Sequence, residues 1–182
     1  MNLEEKTISK NTLFSGRIIN LRQDTALLPN GAIATREVVE HPGGVCVAAL
    51  DEDDNLLMVK QFRYPYMEVI LEVPAGKRDK SGEDPLECGK RELKEETGAT
   101  AKEYVSLGEL YPSPGYCDEI IYLFAAKGLS FGDCCPDEDE FLAVEKIPLK
   151  TAVQMVLNGE IKDAKTQVCI LKLNALKEKG LF

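Results

Sequence analysis

The chain has 182 residues, 44% hydrophobic and 29% charged, which fits one folded domain with a small appendage and excludes a disordered tail or a fibrous repeat. Acidic side chains outnumber basic ones 31 to 22, for a formal charge of −9. That balance argues against a nucleic-acid binder, because phosphate binding relies on clustered lysine and arginine. An acidic chain that handles phosphates needs metal ions to screen the repulsion.

No apolar run approaches ~18 residues, so no membrane-spanning helix is expected. The start Met1–Lys6 lacks the basic and apolar stretches of a signal peptide. Cysteines stand at 46, 88, 117, 134, 135 and 169 without a C-x-x-C pair, the pattern of reduced thiols in a cytoplasmic protein. The only histidine, His41, sits in the turn-like His41-Pro42-Gly43-Gly44, so a Ser-His-Asp or Cys-His mechanism is set aside.

Residues 12–40 read as β-structure. Asn30-Gly31 signals a two-residue hairpin between Thr25–Leu28 and Ala32–Thr35. His41–Gly44 breaks the pattern and suggests a boundary, giving an N-terminal β-sheet region over 1–42 and a main domain over 43–182. Val45–Leu50 and Leu56–Phe62 are apolar strands joined by the charged turn Asp51–Asn55, and Glu68–Val73 alternates as a further strand.

Asp84-Pro85-Leu86-Glu87 is a compact helix start, with an Asp cap, Pro at the first position and Glu three residues after the cap. The helix should run to Thr97 and end at Gly98, with Leu86, Gly89 and Leu93 facing inward. Val105–Tyr111 and Ile120–Ala125 read as strands. Pro148–Leu157 and Ala164–Leu176 read as helices.

On the predicted helix Glu92 and Glu96 are four residues apart, and Glu95 is three from Glu92. The three carboxylates share one side and repel, by a few tenths of a kcal/mol per pair when exposed. A divalent cation turns that repulsion into binding, and carboxylates with water suit Mg²⁺. Arg91 can fix a neighbouring carboxylate through paired hydrogen bonds. An isolated E-x-x-E-E is most simply a solvated acidic face.

The whole stretch reverses that reading. It resembles the signature of the Nudix hydrolases, G-x5-E-x7-R-E-U-x-E-E-x-G-U, where U is apolar. Glu83, Arg91, Glu92, Leu93, Glu95, Glu96, Gly98 and Ala99 match in register. At about one in ten per position, the six fixed matches have chance odds of order 10⁻⁶ per window. Gly76 departs from the pattern, with six residues rather than five before Glu83, so the loop Lys77–Gly82 carries one extra residue.

The resemblance covers roughly residues 43–178. It implies an α/β fold, a mixed β-sheet sandwiched between α-helices, here with an N-terminal antiparallel β-sheet appendage. It implies Mg²⁺, with Mn²⁺ as a substitute, held by Glu92, Glu96, Glu95 and the Ala75 carbonyl, with Glu83 in support. The implied chemistry is water attack on a phosphoanhydride that links a nucleoside diphosphate to another moiety.

The flanks Arg36–Gly43, Gln61–Pro65 and Leu71–Gly76 resemble the ADP-ribose and nucleoside-diphosphate-sugar pyrophosphatases. Pro114, fifteen residues past Ala99, and the loop Ser113-Pro114-Gly115 fit the same group. This implies Mg²⁺-dependent cleavage of ADP-ribose to AMP and ribose 5-phosphate. The alternatives are another nucleotide sugar, a dinucleoside polyphosphate, or a nucleotide-sensing module without turnover. Arg36, Arg63, Glu72 and Gly76 are the implied substrate-binding residues. Glu138–Phe141 resembles the loop that supplies the general base, with Glu140 as the base, Glu138 in reserve, and Glu95 as a further catalytic carboxylate. Tyr64, Tyr66 and Tyr116 either stack on a base or fill the core. The group's members are homodimers with exchanged N-terminal strands, so a cytoplasmic homodimer acting on a small nucleotide is expected, with no nucleic-acid or membrane partner.

Overall fold

The computed structural model describes residues 2–78, 82–135 and 141–182. The chain divides into two compact units. The first comprises residues 1–43 together with 111–120, and the second comprises 44–110 together with 121–182.

Three antiparallel strands in the order β1-β2-β3 build the first unit: β1 (Lys6–Ser15), β2 (Asn20–Leu27) and β3 (Ile33–Glu40). The β2–β3 connection is longer than Asn30-Gly31 alone suggests. Leu28 donates its N–H to the Ala32 carbonyl at 2.8 Å, and Gly31 donates to the Leu28 carbonyl at 2.9 Å. Pro29 explains the shift. Its fixed φ suits the second position of a turn, which therefore centres on Pro29-Asn30 and leaves Gly31 left-handed at φ 82°. Residues 111–120 join this unit through Val39, which donates to the Tyr116 carbonyl at 2.7 Å and accepts from Asp118 N at 3.1 Å.

The second unit carries a mixed sheet in the order β7-β4-β9-β8 and an antiparallel sheet in the order β10-β5-β6. The strands are β4 (Gly44–Ala49), β5 (Asn55–Arg63), β6 (Glu68–Glu72), β7 (Ala75–Lys77), β8 (Ala99–Leu110), β9 (Ile121–Phe131) and β10 (Leu142–Pro148). The helices are α1 (Pro85–Thr97), α2 (Leu149–Leu157) and α3 (Ala164–Glu178). β4 and β9 run parallel, and the other pairs are antiparallel.

Every residue of β4 is buried, as its unbroken apolar run implies for a strand covered on both faces. Side chains alternate across a strand, so β4 serves two cores. Cys46 and Ala48 pack with Cys169, Ile170 and Leu173 of α3. Val47 and Ala49 pack with Leu93 of α1, Leu57 and Ala126. The mixed sheet is thus sandwiched between α1 and α3, as the α/β expectation requires. β8 begins at Ala99, six residues before its apolar stretch, because the left-handed Gly98 turns the chain straight into it.

Candidate functional site

α1 is the platform of the site. The Asp84 carboxylate accepts from Leu86 N at 2.9 Å and Glu87 N at 3.2 Å, and Pro85 occupies the first turn. Gly98 closes the helix at φ 69°, donating to the Lys94 carbonyl at 2.8 Å. Gly89 lets the helix lie close on β4, since a Cβ there would meet Val45 Cγ2 at 3.0 Å.

This packing drives two carboxylates inward. Glu92 is 8% exposed and Glu96 is 2% exposed, whereas Glu95 is half-buried. The short β7, which sequence alternation cannot reveal in three residues, lays its backbone against them. Ala75 donates its N–H to Glu96 Oε2 at 3.0 Å. A Cβ on Gly76 would fall 1.9 Å from Glu92 Cδ, so only glycine leaves Glu92 where it stands.

Arg91 binds this cluster from its rim. Its guanidinium lies 3.2 Å from Glu83 Oε1, 2.7 Å from Glu92 Oε1 and 2.8 Å from Glu95 Oε2. Burial works against its charge, but Glu83, Glu92 and Glu95 outweigh that and make it hold its proton more firmly than usual. Cys88 packs beside the guanidinium, its thiol pushed up to about 12, chiefly by burial, and so stays neutral.

Among the described residues, no three side chains of the metal-ligating types converge on one point. Glu83, Glu92 and Glu95 each lie within ion-pair distance of the Arg91 guanidinium. The donor chemistry nonetheless fits a hard divalent cation. Glu92, Glu95, Glu96 and the Ala75 backbone offer oxygen atoms only, and the carboxylates outnumber the single guanidinium among them.

A second charged cluster lies at the end of β6. Glu72 is 2% exposed. Its Oε2 accepts from Arg63 at 2.7 Å and its Oε1 from Lys165 Nζ at 2.6 Å, and Lys165 also lies 3.0 Å from Asp163. Burial opposes the Lys165 charge, but Asp163 and Glu72 prevail and raise its proton affinity. Lys165 was not legible as part of a site. The available signal was a lysine in the first turn of α3, where the helix dipole disfavours it. Thr166, one residue on, accepts from Val73 N at 3.0 Å through its hydroxyl.

Arg36 stands on β3 of the first unit and pairs with Glu5, Nη2 to Oε1 at 2.6 Å. Tyr64, Tyr66 and Tyr116 are all exposed, so none fills the chain's own core. Glu138 and Glu140 lie outside the described residues, as do residues 79–81 of the lengthened loop.

Residues 40–167 match the NUDIX domain family, and residues 5–39 match the family described as nucleoside diphosphate sugar hydrolase N-terminal domain. The chain is 46% identical over 179 residues to the ADP-ribose pyrophosphatase of Bacillus subtilis (strain 168), spanning 97% of this chain and 96% of that protein. It is 43% identical over 181 residues to the methanol dehydrogenase activator of Bacillus methanolicus, spanning 97% of each. Among solved structures, an ADP compounds hydrolase shares the fold with a TM-score of 0.86 at 22% identity, covering 100% of both chains.

Proposed function

The chain belongs to the NUDIX domain family, and on that premise we propose that it hydrolyses the pyrophosphate bond of ADP-ribose to AMP and ribose 5-phosphate. The observation that carries this is the buried pair Glu92 and Glu96, set against the Ala75–Gly76 backbone. The match of residues 5–39 to a nucleoside diphosphate sugar hydrolase region and the full-length similarity to an ADP-ribose pyrophosphatase direct the choice of substrate.

Glu92, Glu96, Glu95 and the Ala75 carbonyl would hold Mg²⁺, or Mn²⁺ in its place. When bound, the ion neutralises the diphosphate and acidifies the attacking water. Arg91 orients the carboxylates, and Gly76 keeps the strand backbone out of the space of Glu92. Arg63 takes the substrate phosphates. Glu72 holds Arg63 in place and keeps lone pairs on both oxygens for a substrate hydroxyl. Glu140 accepts the proton of the attacking water, with Glu138 as its reserve, because a helix carboxylate facing a cation is a poor base.

The region 1–42 assembles a homodimer by strand exchange, and Arg36 reaches the partner's site. Ile8, Leu13, Phe14, Ile18 and Ile33 are exposed large apolar side chains of the first unit, and a second subunit would cover them. Six free thiols fit a cytoplasmic setting.

The test is incubation with Mg²⁺ and a panel of ADP-ribose, GDP-mannose, diadenosine polyphosphates and dNTPs, with the products resolved chromatographically. AMP with ribose 5-phosphate as the fastest product pair is expected. Faster turnover of another panel member moves the substrate assignment, and no turnover of any member removes the hydrolase reading.

A further inference from the structure

The segment after β9 runs across the C-terminal end of α1. Gly132 donates its N–H to the Gly98 carbonyl at 2.9 Å, and Cys135 donates to the Glu95 carbonyl at 3.1 Å. Between them the Cys134 thiol lies 3.1 Å from both the Glu95 and the Glu96 carbonyl oxygens. The last carbonyls of a helix have no partner within it. Here a thiol S–H serves them, on the two residues whose side chains belong to the carboxylate cluster.

Cys134 and Cys135 are both exposed. The other thiols differ. Cys46 and Cys169 are buried in the core with their sulfurs 3.5 Å apart, Cys88 is buried beside Arg91, and Cys117 is half-buried. Only 134 and 135 therefore place two exposed sulfurs on neighbouring residues.

We propose that Cys134–Cys135 is a thiol oxidation site for peroxides, and that its disulfide withdraws the thiol cap from α1 and slows hydrolysis. Cys135 reacts first, because the Cys134 thiol is held by the Glu95 and Glu96 carbonyls. Its sulfur attacks one peroxide oxygen, forming an S–O bond as the O–O bond breaks, and hydrogen peroxide leaves water behind. The Cys134 sulfur then attacks the sulfenic sulfur. An S–S bond forms, the S–O bond breaks, and the hydroxyl departs as water with the Cys134 proton. In sum, two thiols and one hydrogen peroxide give one disulfide and two waters.

The S–H donor to the Glu95 and Glu96 carbonyls is lost, and the sulfur must turn away from the helix toward its neighbour. Adjacent Cα atoms are about 3.8 Å apart, below the ~4.4–6.8 Å that disulfides usually span, so the bond is strained and easily reduced. The site is reversible for that reason. The effect on rate rests on the hydrolase reading, whereas the chemistry of the thiols does not.

The experiment treats the full chain with hydrogen peroxide and follows tryptic peptides by mass alongside the initial rate. Peptide 128–146 holds Cys134 and Cys135 alone, while Cys46, Cys88, Cys117 and Cys169 fall in other peptides. Peptide 128–146 should become lighter by two hydrogens while the rate falls at least about threefold, and a thiol reductant should restore both. Cys135→Ser should keep its rate in peroxide. Cys134→Ala, which lacks the donor, should be slower than Cys134→Ser before any oxidant is added.

Amide exchange in the last turn of α1, at residues 94–98, should speed up on oxidation whether or not any nucleotide is hydrolysed. That reading separates this proposal from the choice of reaction. An unchanged 128–146 peptide, or a lightened one with exchange and rate both unaltered, overturns it.

Discussion

β1 and β4 are both strands, and they are opposites. All ten residues of β1 are exposed, and all six of β4 are buried. β4 is held by side chains on both faces, from α1 and from α3. β1 is held within the chain by one neighbour, β2, and presents Ile8, Leu13 and Phe14 to solvent. A buried strand is specified by its own chain. A strand with exposed apolar side chains and one open edge is specified in part by whatever covers it.

The sharpest break of this contrast is a core truncation. Leu93→Ala on α1, fully buried under β4, should cost about 2–5 kcal/mol in urea unfolding. Ile8→Ala on β1 should change unfolding of the isolated subunit by less than about 0.5 kcal/mol. Equal costs would dissolve the distinction.

Next in size is chemistry on the buried side. Glu92→Gln or Glu96→Gln should lower kcat by about 10²-fold or more, since each removes the charge of a buried carboxylate while keeping its shape. Gly76→Ala should lower it about tenfold by displacing Glu92. Near-wild-type rates at saturating Mg²⁺ would remove the carboxylate cluster from the mechanism.

On the exposed side, Ile8→Asp with Phe14→Asp should convert a dimeric mass into a monomeric one in light scattering, raising the dissociation constant about tenfold or more. A wild-type chain already monomeric at micromolar concentration defeats the dimer.

The smallest effect is acid lability of the second unit. Burial opposes the Asp163 charge, but Lys165 and Thr166 prevail and hold its pKa below the usual value. A lowered folded-state pKa contributes stability above the unfolded aspartate pKa of about 3.9, lost as pH falls through the folded value. The melting temperature should therefore drop below about pH 4, and Asp163→Asn should flatten that drop. An unchanged slope in the variant assigns the lability elsewhere.

α1 was legible to the residue, because Asp84, Pro85 and Gly98 are local signals that need no tertiary contact. The N-terminal sheet was legible as β-structure, but β1 begins at Lys6 rather than residue 12. Its polar, fully exposed start carries no inward-outward contrast. β7 was missed because its pairing with β4 is a long-range event. Spacing placed Glu92 and Glu96 on one side of α1 and only the longer signature singled them out, whereas the hold of Lys165 on Glu72 joins residues 93 apart and leaves no local trace.

Arg91 carries a last consequence for the molecule without its ion. Glu83, Glu92 and Glu95 gathered round one guanidinium make a helix that brings its own counter-ion. Small zinc domains unfold when stripped of metal, because metal binding supplies their folding free energy. In this chain a chelator should silence the reaction and leave the melting temperature nearly unchanged. Added Mg²⁺ should raise it only by the mass action of binding. The proposed cation would then enter as a reagent, and the scaffold would stand without it.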